Sequence, residues 1–151
     1  MTDWRADEAD SWGRPPSAEP WAFALEGSGV GLWDWDVTTN RITFSGGWMD
    51  LFGYPQGDVE KHFDEWCSLI HSDDRSKVLA AMHHLVRGES PMCATDYRMR
   101  CKDGSYKWIV ARGKIFSRTH DGAPFRILGT YTDVTERKRE EEERLKREVL
   151  L

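Results

Sequence analysis

The 151-residue sequence has no apolar run that approaches the roughly 20 residues of a membrane-spanning helix. Its acidic start, MTDWRADEAD, also lacks the apolar stretch of a secretory signal. The formal net charge of -5 offers no general basic face to meet phosphates, which argues against nucleic-acid binding. We therefore expect a cytoplasmic segment that contacts neither a membrane nor nucleic acid.

Cysteine is scarce, and the patterns of catalytic sites are missing. Cys67, Cys93 and Cys101 form no CxxC pair, and such an odd set is typical of reduced thiols in the cytoplasm. The chain also has no nucleophile motif of the Ser-His-Asp type, no phosphate-binding glycine loop and no paired carboxylates. The sequence therefore indicates a regulatory module rather than an enzyme.

Aromatic residues, in contrast, are abundant, with eight tryptophans in the chain. Residues 1–19 are polar and rich in proline, which predicts a flexible leader, and residues 21–27 predict a short helix. GLWDWDV and RITFS alternate apolar and polar residues around a Thr-Thr-Asn turn, which indicates a hairpin. HFDEWCSLI predicts a short helix.

The segment SDDRSKVLAAMHHLVRG gives the clearest helical pattern, with Val78, Met82 and Leu85 on one stripe. Ser72 or Asp73 is expected to cap its first turn. CATDYRMRC, YKWIVARGKIF and PFRILGTYTDV then predict an antiparallel meander of three strands. We expect the middle strand to turn Trp108 toward the core. A charged helix is predicted from about Thr135 onward.

This order of elements, together with four stretches, resembles the PAS family. The stretches are GLWDWDVTTNRITFSGGWMDLFGY, WCSLIHSDDR, DYRMRCKDGSYKWIVARGKIF and GTYTDVTERK. Ser72 departs from the usual proline of the family. The resemblance implies an α+β fold, a five-stranded antiparallel sheet with short helices on one face, flanked by an N-terminal helix and a C-terminal linker helix. It divides the chain into a leader (1–19), a PAS domain (20–134) and a helical, coiled-coil signalling linker (135–151).

PAS domains can hold a small molecule between the sheet and the helices, so the resemblance implies a pocket. The residues expected to line it are Trp33, Trp35, Phe44, Trp66, Met82, His83, Tyr97, Met99 and Trp108. Large aromatic residues in a small domain more often fill the core, and a filled core without a ligand remains an alternative.

The cofactor stays unknown at this stage, and the residues favour neither haem nor flavin. His83, the one histidine placed to ligate haem iron, lies at the edge of the apolar stripe. Cys67 lacks the neighbours of the flavin-binding branch of the family. His71, Asp73 and Asp74 lie close together, but helix capping explains the aspartates without a metal.

By resemblance, Asp133, Thr135 and Arg137 relay a signal from the last strand to the helix, with an Asp133–Arg137 ion pair at the junction. The output would be a kinase or cyclase domain elsewhere in a longer protein. The apolar residues at 149–151 predict a homodimer through the flanking helices, as a parallel coiled coil. The alternative is a ligand-free structural dimerisation module.

Overall fold

A computed structural model describes residues 28–44, 51–54 and 60–150 of the chain. In these residues six strands and three helices follow one another in a mixed order. The strands are β1 (Val30–Asp36), β2 (Arg41–Phe44), β3 (Glu60–His62), β4 (Cys93–Arg100), β5 (Tyr106–Arg118) and β6 (Pro124–Asp133), and the helices are α1 (Phe63–Leu69), α2 (Ser72–Val86) and α3 (Thr135–Leu150). The N-terminal helix predicted over 21–27 lies outside the described residues.

The strands form one antiparallel sheet in the order β3-β2-β1-β6-β5-β4. The predicted hairpin and meander are confirmed, but the prediction of five strands was wrong. The sixth strand, β3, consists of three residues and pairs with β2 through Arg41 opposite His62. Glu-Lys-His has no alternation of apolar and polar residues, so this strand forms through its pairing rather than through a local pattern.

Helices α1 and α2 precede β4 in the chain, and α2 makes its main contacts with β4. The predicted stripe is confirmed, since Val78, Met82 and Leu85 are all buried. The predicted cap was wrong: His71 is the N-cap of α2, and its Nδ1 accepts a hydrogen bond of 3.1 Å from the Asp73 backbone N–H.

The inner face of the sheet carries the core. In β5 that face comprises Ile109 and Ala111, both buried, whereas Trp108 is half-buried on the opposite face. The expectation that Trp108 points into the core was therefore wrong by one residue of register. In Tyr-Lys-Trp-Ile-Val the apolar residues fall on both faces, so the alternation does not choose between them.

Helix α3 begins directly after β6 and contacts β5. Val134 is buried at the junction, whereas Leu145, Val149 and Leu150 are exposed farther along the helix. No helix within the described ranges is long and apolar enough to cross a membrane.

Candidate functional site

An apolar cavity lies between the inner face of the sheet and helices α1 and α2. The space in it that the centre of a water molecule could occupy is about 20 Å³. It is lined by Trp33, Ile42, Phe44, Trp66, Val78, Met82, Cys93, Thr95, Tyr97, Ile109, Ala111 and Tyr131. A space of this size holds one very small molecule, since a single water needs about 10–15 Å³ by the same measure.

Two glycines make room for the tryptophan that forms the floor of the cavity. Gly113 and Gly129 face each other across β5 and β6. A Cβ atom added at either position would lie within 2.6 Å of the Trp33 indole. The ring therefore lies flat on the sheet backbone, and its Nε1 donates a hydrogen bond of 3.1 Å to the Thr130 carbonyl.

Two aromatic residues of the lining, one on a helix and one on the sheet, are in edge-to-face contact. The rings of Trp66 on α1 and Tyr97 on β4 lie 6.1 Å apart at an angle of 88°. This ring contact joins α1 to β4 beside the cavity.

The cavity is electrically neutral. No lining residue among those the structure describes is Asp, Glu, Lys, Arg or His. Burial raises the pKa of the Tyr97 hydroxyl and also that of the Cys93 thiol, so both groups stay protonated at neutral pH. An anion or a cation would find no counter-charge here, and the arrangement suits an uncharged occupant.

The structure brings together five of the nine predicted pocket residues: Trp33, Phe44, Trp66, Met82 and Tyr97. The other four lie elsewhere. Trp35 is buried beside the cavity and stacks on Phe63 at 4.7 Å, and Met99 is buried farther along β4. His83 is exposed on α2, and Trp108 lies on the outer face of the sheet.

Sequence reasoning missed seven lining residues: Ile42, Val78, Cys93, Thr95, Ile109, Ala111 and Tyr131. Alternation in β4 placed Cys93 and Thr95 on the face of Tyr97, and this signal could have added them. Ile109 and Ala111 were not predicted because the opposite face of β5 was expected to point into the core.

Neither cofactor weighed from the sequence fits these residues. The exposed side chain of His83 is not part of the lining that a haem iron would face, and Cys67 lies on α1 outside the lining. The cavity is also far too small for a flavin ring system or a porphyrin. Among residues 28–44, 51–54 and 60–150, no three His, Cys, Asp or Glu side chains are grouped to hold a metal ion.

The backbone of Trp108 holds the start of α3. The Val134 N–H donates to the Trp108 carbonyl at 2.9 Å, and the Trp108 N–H donates to Thr135 Oγ1 at 3.0 Å. The Thr135 hydroxyl in turn donates to Asp133 at 2.6 Å. Two predicted relay residues, Asp133 and Thr135, therefore meet at this junction.

The third predicted relay residue, Arg137, is exposed. Within the described part of the chain, no ion pair joins it to Asp133, so the expected contact at the junction is replaced by the Asp133–Thr135 hydrogen bonds.

A charged cluster surrounds the Trp108 ring on the outer face. Arg98 lies over the ring with its guanidinium carbon 5.1 Å from the centroid, and Lys138 of α3 lies over it with Nζ at 4.7 Å. Arg98 is also held by the buried carboxylate of Asp74, which accepts its two side-chain hydrogen bonds at 2.9 Å and its backbone N–H at 2.8 Å. These contacts connect α2, β4, β5 and α3.

Comparison with known proteins gives consistent relatives. The PAS fold family matches residues 41–131. A sensory box histidine kinase/response regulator from Burkholderia thailandensis is 33% identical in its solved structure, with a TM-score of 0.74 over 87% of this chain and 98% of that one. The N-terminal domain of a diguanylate cyclase with PAS/PAC sensor from Marinobacter aquaeolei has a TM-score of 0.64 at 22% identity, over 72% of this chain and 98% of that one.

Curated relatives include a blue-light-activated histidine kinase of Brucella ovis, 29% identical over 119 residues and 79% of this chain. The matched region spans 23% of the length of that kinase. The family match over residues 41–131, the architecture and the identity to the Burkholderia domain lead to one conclusion. This chain belongs to the PAS fold family, as a sensory domain of the kind found in signalling proteins.

Proposed function

We propose that this chain is the input module of a longer signalling protein, in which the core cavity receives a small uncharged molecule and α3 passes its presence to an output domain. One observation supports this most strongly. The backbone of Trp108 holds the start of α3, while the next residue, Ile109, lines the cavity. A shift of β5 in response to an occupant therefore acts on α3 directly.

The output domain is proposed from the relatives. The similar domains belong to a histidine kinase and a diguanylate cyclase, and either type of enzyme is a suitable partner for α3. The chain itself would be regulatory rather than catalytic, with a sensory unit at 20–134, a linker at 135–151 and a leader at 1–19.

Dimerisation through α3 is part of the proposal. Leu145 and Val149 are four residues apart and exposed, as is Leu150. Two such short apolar stripes bury each other in a parallel coiled coil. One stripe alone has no apolar surface to pack against, so an isolated helix of this length is only marginally stable in water. The segment 21–27 is proposed as a second contact in the homodimer.

The competing function is a dimerisation module that binds no ligand, and the small size of the cavity favours it. Native mass spectrometry and an absorbance spectrum of the purified chain distinguish the two. The sensor proposal expects a bound molecule whose occupancy falls in Ala111→Val, which fills the cavity, but not in Ala94→Val, which changes an exposed residue of β4. A chain that is empty in every preparation would favour the dimerisation module.

Sedimentation tests the dimer separately. The full chain should associate at high concentration, and a chain truncated after Lys138 should not. If both sediment as monomers, α3 does not form the coiled coil.

A further inference from the structure

The Asp96 carboxylate lies between two lysines that come from two different helices. Lys138 of α3 approaches its Oδ2 at 2.6 Å, and Lys77 of α2 approaches its Oδ1 at 3.5 Å. Each carboxylate oxygen therefore holds one lysine. The hydrogen bond from Lys138 is the main cause that lowers the pKa of Asp96, so the group is ionised at neutral pH.

Asp96 and one of its two partners, Lys77, belong to elements of the cavity wall. Thr95 and Tyr97, the neighbours of Asp96 in β4, line the cavity, and alternation places the Asp96 side chain on the outer face. In α2, Lys77 precedes the lining residue Val78. β4 is also an edge strand, paired with β5 along one side. An occupant that pushes on β4 or α2 therefore displaces one of the charged groups.

Lys138 is the receiving end of this arrangement. It is the fourth residue of α3, three-quarters buried, with Nζ over the Trp108 ring. Within residues 28–44, 51–54 and 60–150, Lys138–Asp96 is the one ion pair that joins α3 to another element. The contact is better shielded than a surface ion pair, because the lysine stem and the indole exclude water from one side.

We propose that Lys77, Asp96 and Lys138 form a bridge that transmits displacement of the cavity wall to the output helix, with Asp96 as the positioning residue. The inference rests on the proposed function and adds to it a second route, through side chains, beside the backbone contacts of Trp108. When α2 or β4 moves, the carboxylate turns or shifts between its two lysines, and the first turns of α3 are held more or less firmly against β5.

The first test is the anchoring of α3 at rest. Amide hydrogen exchange of residues 136–141 should accelerate about threefold to fivefold in Lys138→Met and in Asp96→Asn, as expected for loss of a partly buried ion pair. The matched control is Lys146→Met, which changes an exposed lysine of the same helix. If the control accelerates exchange as much as Lys138→Met does, the bridge does not anchor α3.

The second test is transmission, with xenon as the probe of the cavity because this apolar atom enters dry cavities. Amide NMR spectra of the full chain with and without xenon report the response of α3. The native chain should show shifts in residues 135–141, and Lys77→Met should lose more than half of them while Lys77→Arg retains them. Lys77→Met leaves the Lys138–Asp96 pair in place. If Lys77 only stabilised the fold, the xenon-induced shifts in residues 135–141 would therefore not fall in this variant.

The outcomes separate the bridge from the proposed function. A native chain in which xenon shifts the lining residues but not α3 contradicts the proposed function, and transmission by the bridge falls with it. An α3 response that is present and equally large in Lys77→Met overturns the bridge alone. A response that falls in Lys77→Met and persists in Lys77→Arg and Lys146→Met supports both.

Discussion

Replacing Asp74 by alanine should be among the most damaging changes to a charged residue in this domain. Asp74 is the buried charged residue of the described core, and its carboxylate accepts three hydrogen bonds from Arg98. Two come from the guanidinium and one from the backbone of β4. The contact fixes the first turn of α2, which covers the cavity, to the edge strand of the sheet.

The size of the effect follows from what the substitution leaves behind. Breaking a fully buried pair costs about 3–5 kcal/mol, because the remaining charge loses its partner. Arg98 keeps 29% of its side chain exposed and lies over Trp108, so water and the ring offset part of that loss. We expect Asp74→Ala to lower the free energy of unfolding by about 2–3 kcal/mol, which lowers Tm by about 6–12 °C in a domain of this size.

The neighbouring residue provides a matched control. Asp73 lies in the same turn, but 75% of its side chain is exposed and it approaches Arg98 only at 3.9 Å. Asp73→Ala should cost less than about 1 kcal/mol, from the loss of a screened charge near the helix N-terminus. Urea unfolding followed by tryptophan fluorescence measures both variants. Equal losses of stability in the two would refute the assignment of Asp74 as the structural anchor.

The pH dependence of unfolding adds a second signature. Hydrogen bonds from Arg98 hold the pKa of Asp74 below its ordinary value of 3.8. The stabilisation is therefore complete above that value and is lost as the pH falls toward the lower pKa of the folded chain. Asp74→Asn should therefore lose less of its free energy of unfolding than the native chain does as the pH falls. An equally steep loss in the two chains would contradict the lowered pKa of Asp74.

Three further predictions concern the sheet and a thiol. Gly129→Ala should destabilise the chain by more than about 3 kcal/mol, because its Cβ would lie 1.9 Å from the Arg112 carbonyl oxygen; a normal urea midpoint would show that the strands can separate there. Trp108→Ala should lower the free energy of unfolding less than Ile109→Ala, because Trp108 is half-buried outside the core. A loss of about 2–5 kcal/mol is expected for Ile109→Ala. The reverse order would show that Trp108 faces the core, as the sequence predicted. Burial raises the pKa of the Cys67 thiol to about 11. Iodoacetamide at neutral pH should therefore modify this thiol about 100-fold more slowly in the folded chain than in the urea-unfolded chain. Equal rates in the two states would show a reactive thiolate in the folded chain.

Much of the fold was predictable because local patterns and the PAS resemblance agreed. Alternation placed Trp33 and Phe44 on the inner face, and the helical period placed Val78 and Met82 on the buried stripe. These residues line the cavity because each pattern has a single apolar face. The start of α3 followed from the switch to charged residues after Val134.

The parts that the sequence did not predict depend on partners far along the chain. The Asp74–Arg98 contact spans 24 residues, and the adjacent aspartates of the helix start look alike in the sequence. Trp108 is apolar yet faces outward, because Arg98 and Lys138 cover its ring. No local pattern distinguishes a tryptophan that is buried in the core from one that is covered by cations.

We expect a change inside the cavity to reach α3. The most direct measurement compares amide hydrogen exchange of residues 135–150 in the native chain, in Ala111→Val and in Ala94→Val. Ala111 lines the cavity on β5, and Ala94 is exposed on β4. We predict that exchange in the first turns of α3 changes in Ala111→Val and stays at the native rate in Ala94→Val. If Ala111→Val alters exchange in β4 and β5 but leaves α3 at the native rate, the cavity and the helix are not coupled.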